Sequence, residues 1–117
     1  MSINNIPFIL IKCLLLTIII ELSLALILGV RDKKDIINVI LVNVITNPIV
    51  VMSQILLYLN FGYTIEVIGI VILEILVVPI EGLIYKKVLN YKKINPFILS
   101  LILNASSLII GGFINNI

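Results

Sequence analysis

Four long apolar runs, separated by short polar connections, dominate the chain. The runs cover about residues 7–30, 36–59, 63–85 and 96–115. Each is long enough to cross the hydrocarbon core of a bilayer as an α-helix, which needs roughly 20 apolar residues. Because little chain lies between the runs, the pattern predicts an all-α polytopic membrane protein, a compact four-transmembrane-helix bundle that forms a single domain over residues 1–117.

The amino-acid composition supports a membrane protein. Hydrophobic residues make up 62% of the chain and charged residues only 12%, whereas soluble domains contain roughly 25% charged residues. The first run has no basic segment before it and no small-residue cleavage site after it, so we interpret it as a retained helix rather than a signal peptide. The bias towards Ile, Asn and Lys is typical of an AT-rich bacterial genome.

Basic residues are concentrated in two of the three connections. Three lie in residues 31–35 and four in residues 86–95, whereas residues 59–66 contain no Lys or Arg. By the positive-inside rule, this pattern predicts a bacterial cytoplasmic membrane protein with both basic loops in the cytoplasm and both termini outside. Lys12 departs from the pattern, but its long side chain can reach the outer surface. We expect the basic loops to contact the lipid bilayer rather than nucleic acid.

Several kinds of chemistry are excluded by missing residue types. The chain contains no histidine and a single cysteine, Cys13. Ser-His-Asp hydrolysis, HExxH-type metalloprotease chemistry, histidine proton relays, intramolecular disulfides and cysteine metal clusters are therefore all excluded. We expect no cofactor, and the residue types alone do not identify a metal.

One acidic or carboxamide residue in each run lies at a similar depth. These residues are Glu21, Asn47, Glu74 and Asn104. They are 10 to 12 residues from a charge of the adjoining basic loop, or about 15–18 Å along a helix that rises 1.5 Å per residue. This is near the middle of a hydrocarbon core about 30 Å thick. Because an acidic residue costs about 2.5–3.5 kcal/mol at that depth, we predict a function for Glu21 and Glu74.

A second tier of polar residues, nearer the cytoplasm, contains Asn43, Glu81 and Ser100. Within each run the polar and small residues recur every three or four positions, so they share one helix face, which we expect to point inward. The predicted substrate- or ion-binding residues are Glu21, Asn43, Asn47, Glu74, Glu81 and Asn104.

Local sequence also predicts how the helices begin and bend. Asp35 is a candidate N-cap of the second helix. Pro48 and Pro79 are predicted helix kinks, because proline cannot donate to the carbonyl four residues earlier and so releases the carbonyls of Val44 and Ile75. We expect these carbonyls to add oxygen ligands beside the polar layer. Oxygen ligands suit a hard cation or a polar, cationic solute.

Some of these residues have simpler interpretations. Asn104 is suited to hydrogen bonding between packed helices, without any ligand. Glu66 lies near the outer end of the third run and is expected to be a solvated charge. Glu81 lies close to Lys86 and Lys87 in sequence and could form an ion pair with either.

Three functions from different classes follow from this pattern. The first is a transporter or channel that binds a cation or small polar or cationic solute at Glu21 and Glu74, with coupling to protons. Because four helices seldom enclose a pathway alone, we expect a homo-oligomer, most simply a homodimer. The second is an intramembrane hydrolase in which the two glutamates activate water. The third is a non-catalytic membrane subunit or immunity-type protein, in which buried polar groups specify helix pairing.

The segments "ELSLALILGVRDKKDIINVILVNVITNP" and "EILVVPIEGLIYKK" resemble small four-helix integral membrane proteins of Gram-positive anaerobic bacteria. The resemblance covers residues 21–87. The recurring residues are Glu21, Arg31, Asn43, Thr46, Asn47, Pro48, Glu74, Glu81 and Tyr85. It implies the four-helix plan but no activity, because none is established for that group.

Two better-known groups share only the general plan. The small multidrug resistance transporters also have four helices with a glutamate in the first, but their other sequence features are absent here. The fluoride channels of similar size are less similar, because their pore aromatics and glycine patterns are missing. A shared plan of this kind is weak support for a shared function.

Overall fold

A computed structural model describes residues 5–115, which form four helices. They are α1 (Ile6–Ile27), α2 (Lys33–Phe61), α3 (Tyr63–Val88) and α4 (Pro96–Asn115). All four are long and apolar enough to cross a membrane. The predicted fold class, an all-α bundle of four transmembrane helices, is therefore confirmed for the described residues. Residues 1–4 and 116–117 of the predicted domain lie outside them.

Each helix packs against two others, so the bundle encloses an interior. Helix α1 contacts α2 and α4, and α3 contacts the same two helices from the opposite side. The outward faces present large apolar side chains such as Ile19, Ile45 and Ile75, each more than 60% exposed. Lipid would cover these faces, and backbone hydrogen bonding within each helix makes such a surface stable in hydrocarbon.

The first connection is tighter than the sequence predicts. Helix α1 ends at Ile27, and Gly29 then adopts a φ of +102°, which glycine reaches without the steric cost that other residues meet. Asp32 is the N-cap of α2, because its side chain accepts a hydrogen bond from the Lys34 N–H at 2.8 Å. The prediction of Asp35 as N-cap was wrong. Both residues suit the role by type, and only the turn at Gly29 places the helix start.

Asp35 instead joins the two basic connections. Its side chain is buried, and its two carboxylate oxygens accept hydrogen bonds from the backbone N–H groups of Asn90 at 2.8 Å and Tyr91 at 2.9 Å. The Tyr91 hydroxyl donates to the Leu28 carbonyl at 2.7 Å. The Asn90 side-chain amide also donates to Asp32 and holds the pKa of that carboxyl below its usual range. We call this set of contacts the Asp35 clasp.

An apolar core fills the bundle next to the clasp. Its buried members come from every helix and from the first and third connections: Ala25, Val30, Val39, Val42, Tyr85, Leu89, Leu99 and Leu103. Helices α3 and α4 approach closely here, because a Cβ built on Gly82 would lie 2.5 Å from Phe97 Cδ1 and 3.1 Å from Phe97 Cα. The interior is therefore closed at the end that carries the basic loops.

The close approach at Gly82 is testable by adding one methyl group. Gly82→Ala should lower the free energy of unfolding by about 1–3 kcal/mol, because the new Cβ overlaps Phe97 backbone and side chain. Gly112→Ala is the matched control, since a Cβ there meets no described atom within 4 Å. We expect that control to be neutral or up to about 1 kcal/mol more stable. Unfolding in mixed detergent and SDS measures the stability of both variants. Equal stabilities of Gly82→Ala and Gly112→Ala would contradict the close contact between Gly82 and Phe97.

Candidate functional site

Two buried carboxylates in the bundle interior are held by side chains of neighbouring helices. Glu21 on α1 accepts a hydrogen bond from Asn43 Nδ2 on α2 at 3.3 Å. Glu81 on α3 accepts from Asn104 Nδ2 on α4 at 2.6 Å, and its Oε1 lies within hydrogen-bonding distance of Thr46 Oγ1 on α2, at 3.1 Å. Both glutamates are 0% exposed. Polar groups of all four helices therefore meet at this level.

The donors to these carboxylates are also bonded within their own helices. Asn43, Thr46 and Asn104 each donate to the carbonyl oxygen four residues earlier, at 2.9–3.0 Å. Such bonds hold a short polar side chain against its own helix. Across α3 and α4, Ser100 Oγ donates to the Val78 carbonyl at 2.8 Å. The polar layer is therefore anchored to the backbone on several sides.

The structure regroups the two predicted depth tiers. Counted from the helix ends next to the basic loops, the offsets are six residues for Glu21, seven for Glu81, eight for Asn104 and ten for Asn43. Asn47 and Glu74 are each fourteen residues from those ends.

The predicted grouping of Glu21 and Asn104 with Asn47 and Glu74 was wrong. It counted from the loop charges, whereas α1 ends four residues before Arg31 and α2 begins at Lys33.

A cavity of about 380 Å³ extends from this polar layer towards the other end of the bundle. All four helices line it. Glu21 and Asn104 lie at its inner end, and Tyr63, Glu66 and Gly112 lie at the end near the α2–α3 connection. We call this outer end, where Tyr63 is 72% exposed, the mouth of the cavity. The polar residues between mouth and inner end include Cys13, Thr17, Asn47, Gln54, Glu74 and Ser107.

Acidic residues line the cavity. Glu21, Glu66 and Glu74 are among the lining residues, and the described lining contains no Lys or Arg. A cleft lined by one sign of charge, with low-dielectric walls, concentrates ions of the opposite sign. The cavity is therefore suited to a cation.

Two buried acceptor oxygens of cavity-lining residues, Glu21 Oε2 and Asn47 Oδ1, receive no hydrogen bond of standard geometry in the described chain. The Ser107 hydroxyl lies near the Glu21 carboxyl group, but it donates to the Asn104 carbonyl at 3.0 Å. The Asn47 amide donates to Thr17 Oγ1 at 3.1 Å, which leaves its carbonyl oxygen unsatisfied. An unsatisfied buried polar group costs about 1–3 kcal/mol. A hydrogen-bond donor or a cation in the cavity would remove that cost.

Five of the six predicted binding residues line the cavity: Glu21, Asn43, Asn47, Glu74 and Asn104. Glu81 lies behind the lining, held by Thr46 and Asn104. The alternative pairing of Glu81 with Lys86 or Lys87 is not seen, because both lysines are exposed while Glu81 is buried.

Other lining residues were not among the predicted binding residues. Glu66, expected to be a solvated charge, accepts from Gln54 Nε2 at 2.9 Å and lies at the cavity mouth. Thr17 and Thr46 also line the cavity. The available signal for Thr17 was its spacing of four residues from Glu21, which places both on one helix face. Gln54 had no such signal, because its partner Glu66 lies on the next helix.

The prolines do not supply ligands to the cavity. Helix α2 continues through Pro48 and α3 through Pro79. Val44 and Ile75, whose carbonyls the prolines release, have exposed side chains and are not among the lining residues. The predicted contribution of these carbonyls to the site was therefore wrong.

Comparison of the chain with family models, curated proteins and solved structures gave no match. The resemblance to small four-helix proteins of Gram-positive anaerobes therefore stays a prediction. Within residues 5–115, no group of three or more His, Cys, Asp or Glu side chains is arranged to hold a metal ion. The chemistry of the cavity is then the guide to function.

Cys13 offers a native test of the cavity, because it is the only cysteine and it lies in the lining. A cationic methanethiosulfonate reagent should label it about tenfold faster than an anionic reagent of similar size, because acidic clefts raise the local concentration of cations. Gel or mass shifts measure the labelling rates of Cys13. The double substitution Glu66→Gln and Glu74→Gln should reduce the ratio of the cationic to the anionic labelling rate.

The control for this labelling is Asn60→Cys in a Cys13→Ser background. Asn60 is exposed near the end of α2 and is not among the cavity-lining residues. Its two labelling rates should be similar. Equal rates for both reagents at Cys13 would contradict an acidic cavity.

Proposed function

We propose that the protein binds a cation or small cationic solute in the cavity between its four helices and moves it across the membrane. The observation that supports this most is the combination of three carboxylates, two unpaired acceptor oxygens and no described basic residue in one cavity. A volume of about 380 Å³ leaves room for an organic ammonium as well as for a hydrated metal ion.

Each acidic residue has a distinct role in this proposal. Glu66 attracts the cation at the mouth. Glu74, about half-way along the cavity, and Glu21, at its inner end, bind it in turn, and the carbonyl oxygen of Asn47 completes the set of acceptors. Protons compete with the cation for the same carboxylate oxygens, which suits proton-coupled exchange.

The shape of the cavity supports transport over the two alternatives. All four helices line it, and it extends lengthwise to one end of the bundle. A hydrolase acting on lipid or membrane peptides would instead need an opening between helices towards the bilayer. A purely structural role for the polar groups would not require three acidic residues around one cavity whose described lining has no basic residue. The closed end, filled by the apolar core, would have to open in a second state to complete transport.

We propose further that the protein lies in a bacterial cytoplasmic membrane with both basic loops in the cytoplasm, so that the cavity mouth faces outside. Homodimer formation also stays a proposal. One chain lines the cavity by itself, so binding needs no second copy. Crosslinking in native membranes tests whether transport is carried out by a pair.

Transport is testable in proteoliposomes with labelled sodium and labelled 1,4-diaminobutane as probes. Glu21→Gln and Glu74→Gln should each reduce uptake of the transported probe by about tenfold or more, because a hydrogen bond to a charged group contributes about 1.5–3 kcal/mol. Lys12→Gln is the control: Lys12 is exposed on α1 and is not among the lining residues. Uptake that survives both glutamine substitutions would rule out the carboxylate mechanism.

The orientation is testable with single cysteines in a Cys13→Ser background. A membrane-impermeant maleimide should label Asn60→Cys in intact cells but label Lys92→Cys only after permeabilisation, because Lys92 lies in a basic loop and basic loops face the cytoplasm. Labelling in the reverse order would place the cavity mouth in the cytoplasm and would contradict the proposed direction.

A further inference from the structure

Glu81 is a buried acid that the proposed cation site does not use. It is 0% exposed and lies behind the cavity lining, between the polar layer and the apolar core. The titratable groups whose charge interacts with it are Glu21 on α1 and Glu74 and Tyr85 on its own helix. Helices α2 and α4 present Thr46 and Asn104, which do not titrate.

The hydrogen bonds around Thr46 indicate a proton on Glu81. The Thr46 hydroxyl lies 2.9 Å from the Val42 carbonyl oxygen and 3.1 Å from Glu81 Oε1. A hydroxyl has one proton, so it cannot donate to both acceptors at once. If Glu81 is protonated, its O–H donates to Thr46 Oγ1, and Thr46 donates to Val42. Both short distances are then explained.

The other oxygen of Glu81 is satisfied in the same state. Asn104 Nδ2 carries two protons, one for Glu81 Oε2 at 2.6 Å and one for the Ser100 carbonyl at 2.9 Å. Ser100 Oγ donates in turn to the Val78 carbonyl. Every short contact around a neutral Glu81 therefore joins one donor to one acceptor.

The ionised state needs only a small change. When Glu81 loses its proton, the Thr46 hydroxyl turns from Val42 to Glu81 Oε1, and Asn104 continues to donate to Oε2. The Val42 carbonyl keeps the bond that a helix provides to it. No side chain has to move. The site can therefore hold and release a proton inside a packed bundle.

We propose that Glu81 is a proton-binding site, separate from the cation site in the cavity and linked to it through Glu21. Glu21 lies in the cavity lining together with Asn104, whose amide donates to Glu81 Oε2. When the proton leaves Glu81 it passes to water in the cavity, and Glu81 becomes a carboxylate held by Thr46 and Asn104. One carboxylic acid and one water give one carboxylate and one hydronium ion, so charge is conserved.

The link to the cation rests on the proposed function. A cation bound at Glu21 repels a proton on Glu81, and by reciprocity a protonated Glu81 weakens cation binding. Entry of the cation at the mouth then releases a proton. The three acids, all on helix faces that the sequence predicts to point inward, therefore have two roles in the proposal. Glu21 and Glu74 contact the cation, and Glu81 stores the proton.

Infrared spectroscopy of the reconstituted full-length protein tests the proton site without any ligand. The C=O stretch of a protonated carboxylic acid should decrease as pH rises, and Glu81→Gln should remove one component of it. Glu66→Gln, at the cavity mouth, is the control and should leave that component unchanged. A Glu81→Gln spectrum identical to that of the native protein at every pH would overturn the proposal.

Thr46→Val keeps the test valid if Glu81→Gln does not fold. It preserves Glu81 but removes the acceptor for its proton, so the Glu81 C=O stretch should move to a different frequency. An unchanged frequency would overturn the assigned hydrogen bond and with it the proton site.

A second measurement tests the link and separates it from the proposed function. Sodium or 1,4-diaminobutane is added to weakly buffered protein, and proton release is followed with a pH dye. Native protein should release protons on binding, and Glu81→Gln should bind the cation but lose that release. Equal release by both would overturn the link. Failure of the native protein to bind any probe would instead contradict the proposed function, while the infrared result still decides the proton site.

Discussion

The pairing of buried carboxylates across helices is the constraint on which the rest of this bundle depends. Apolar faces give little preference for one helix arrangement over another in a bilayer, because lipid tails are as apolar as leucine. An acid inside the bundle must find hydrogen-bond partners on other helices. Glu81 finds them on α2 and α4, and Glu21 finds one on α2. These contacts set the axial position of each helix relative to its neighbours.

The polar layer around Glu21 and Glu81 divides the bundle into two halves with different chemistry. Towards the basic loops, an apolar core and the Asp35 clasp close the interior. Away from them, the helices enclose a cavity lined by Glu74, Asn47 and Glu66. Glu21, which joins α1 to α2, therefore also lies at the floor of the cavity. Opening the closed half would require separating Asp35 from the α3–α4 connection.

Much of the fold was predictable because it depends on local properties. The length of the apolar runs predicts four helices, and a spacing of three or four residues identifies the inward faces. Glu21 and Ala25 on α1 and Ser100 and Asn104 on α4 are all buried. For the site, the sequence predicted which residues line it but not which of them form hydrogen bonds with each other. Glu21, for example, pairs with Asn43 rather than with Asn47.

By itself the sequence determined the helix count, the polar face of each helix and the acidic character of the interior, because these follow from residue type and spacing along one helix. Only the tertiary structure decided the partners. Asn43 and Asn47 are one turn apart, about 6 Å along the axis, and α1 ends three residues earlier than predicted. An axial shift of about 4.5 Å is enough to exchange one partner for the other. Contacts between helices depend on such shifts, which periodicity within a helix does not encode.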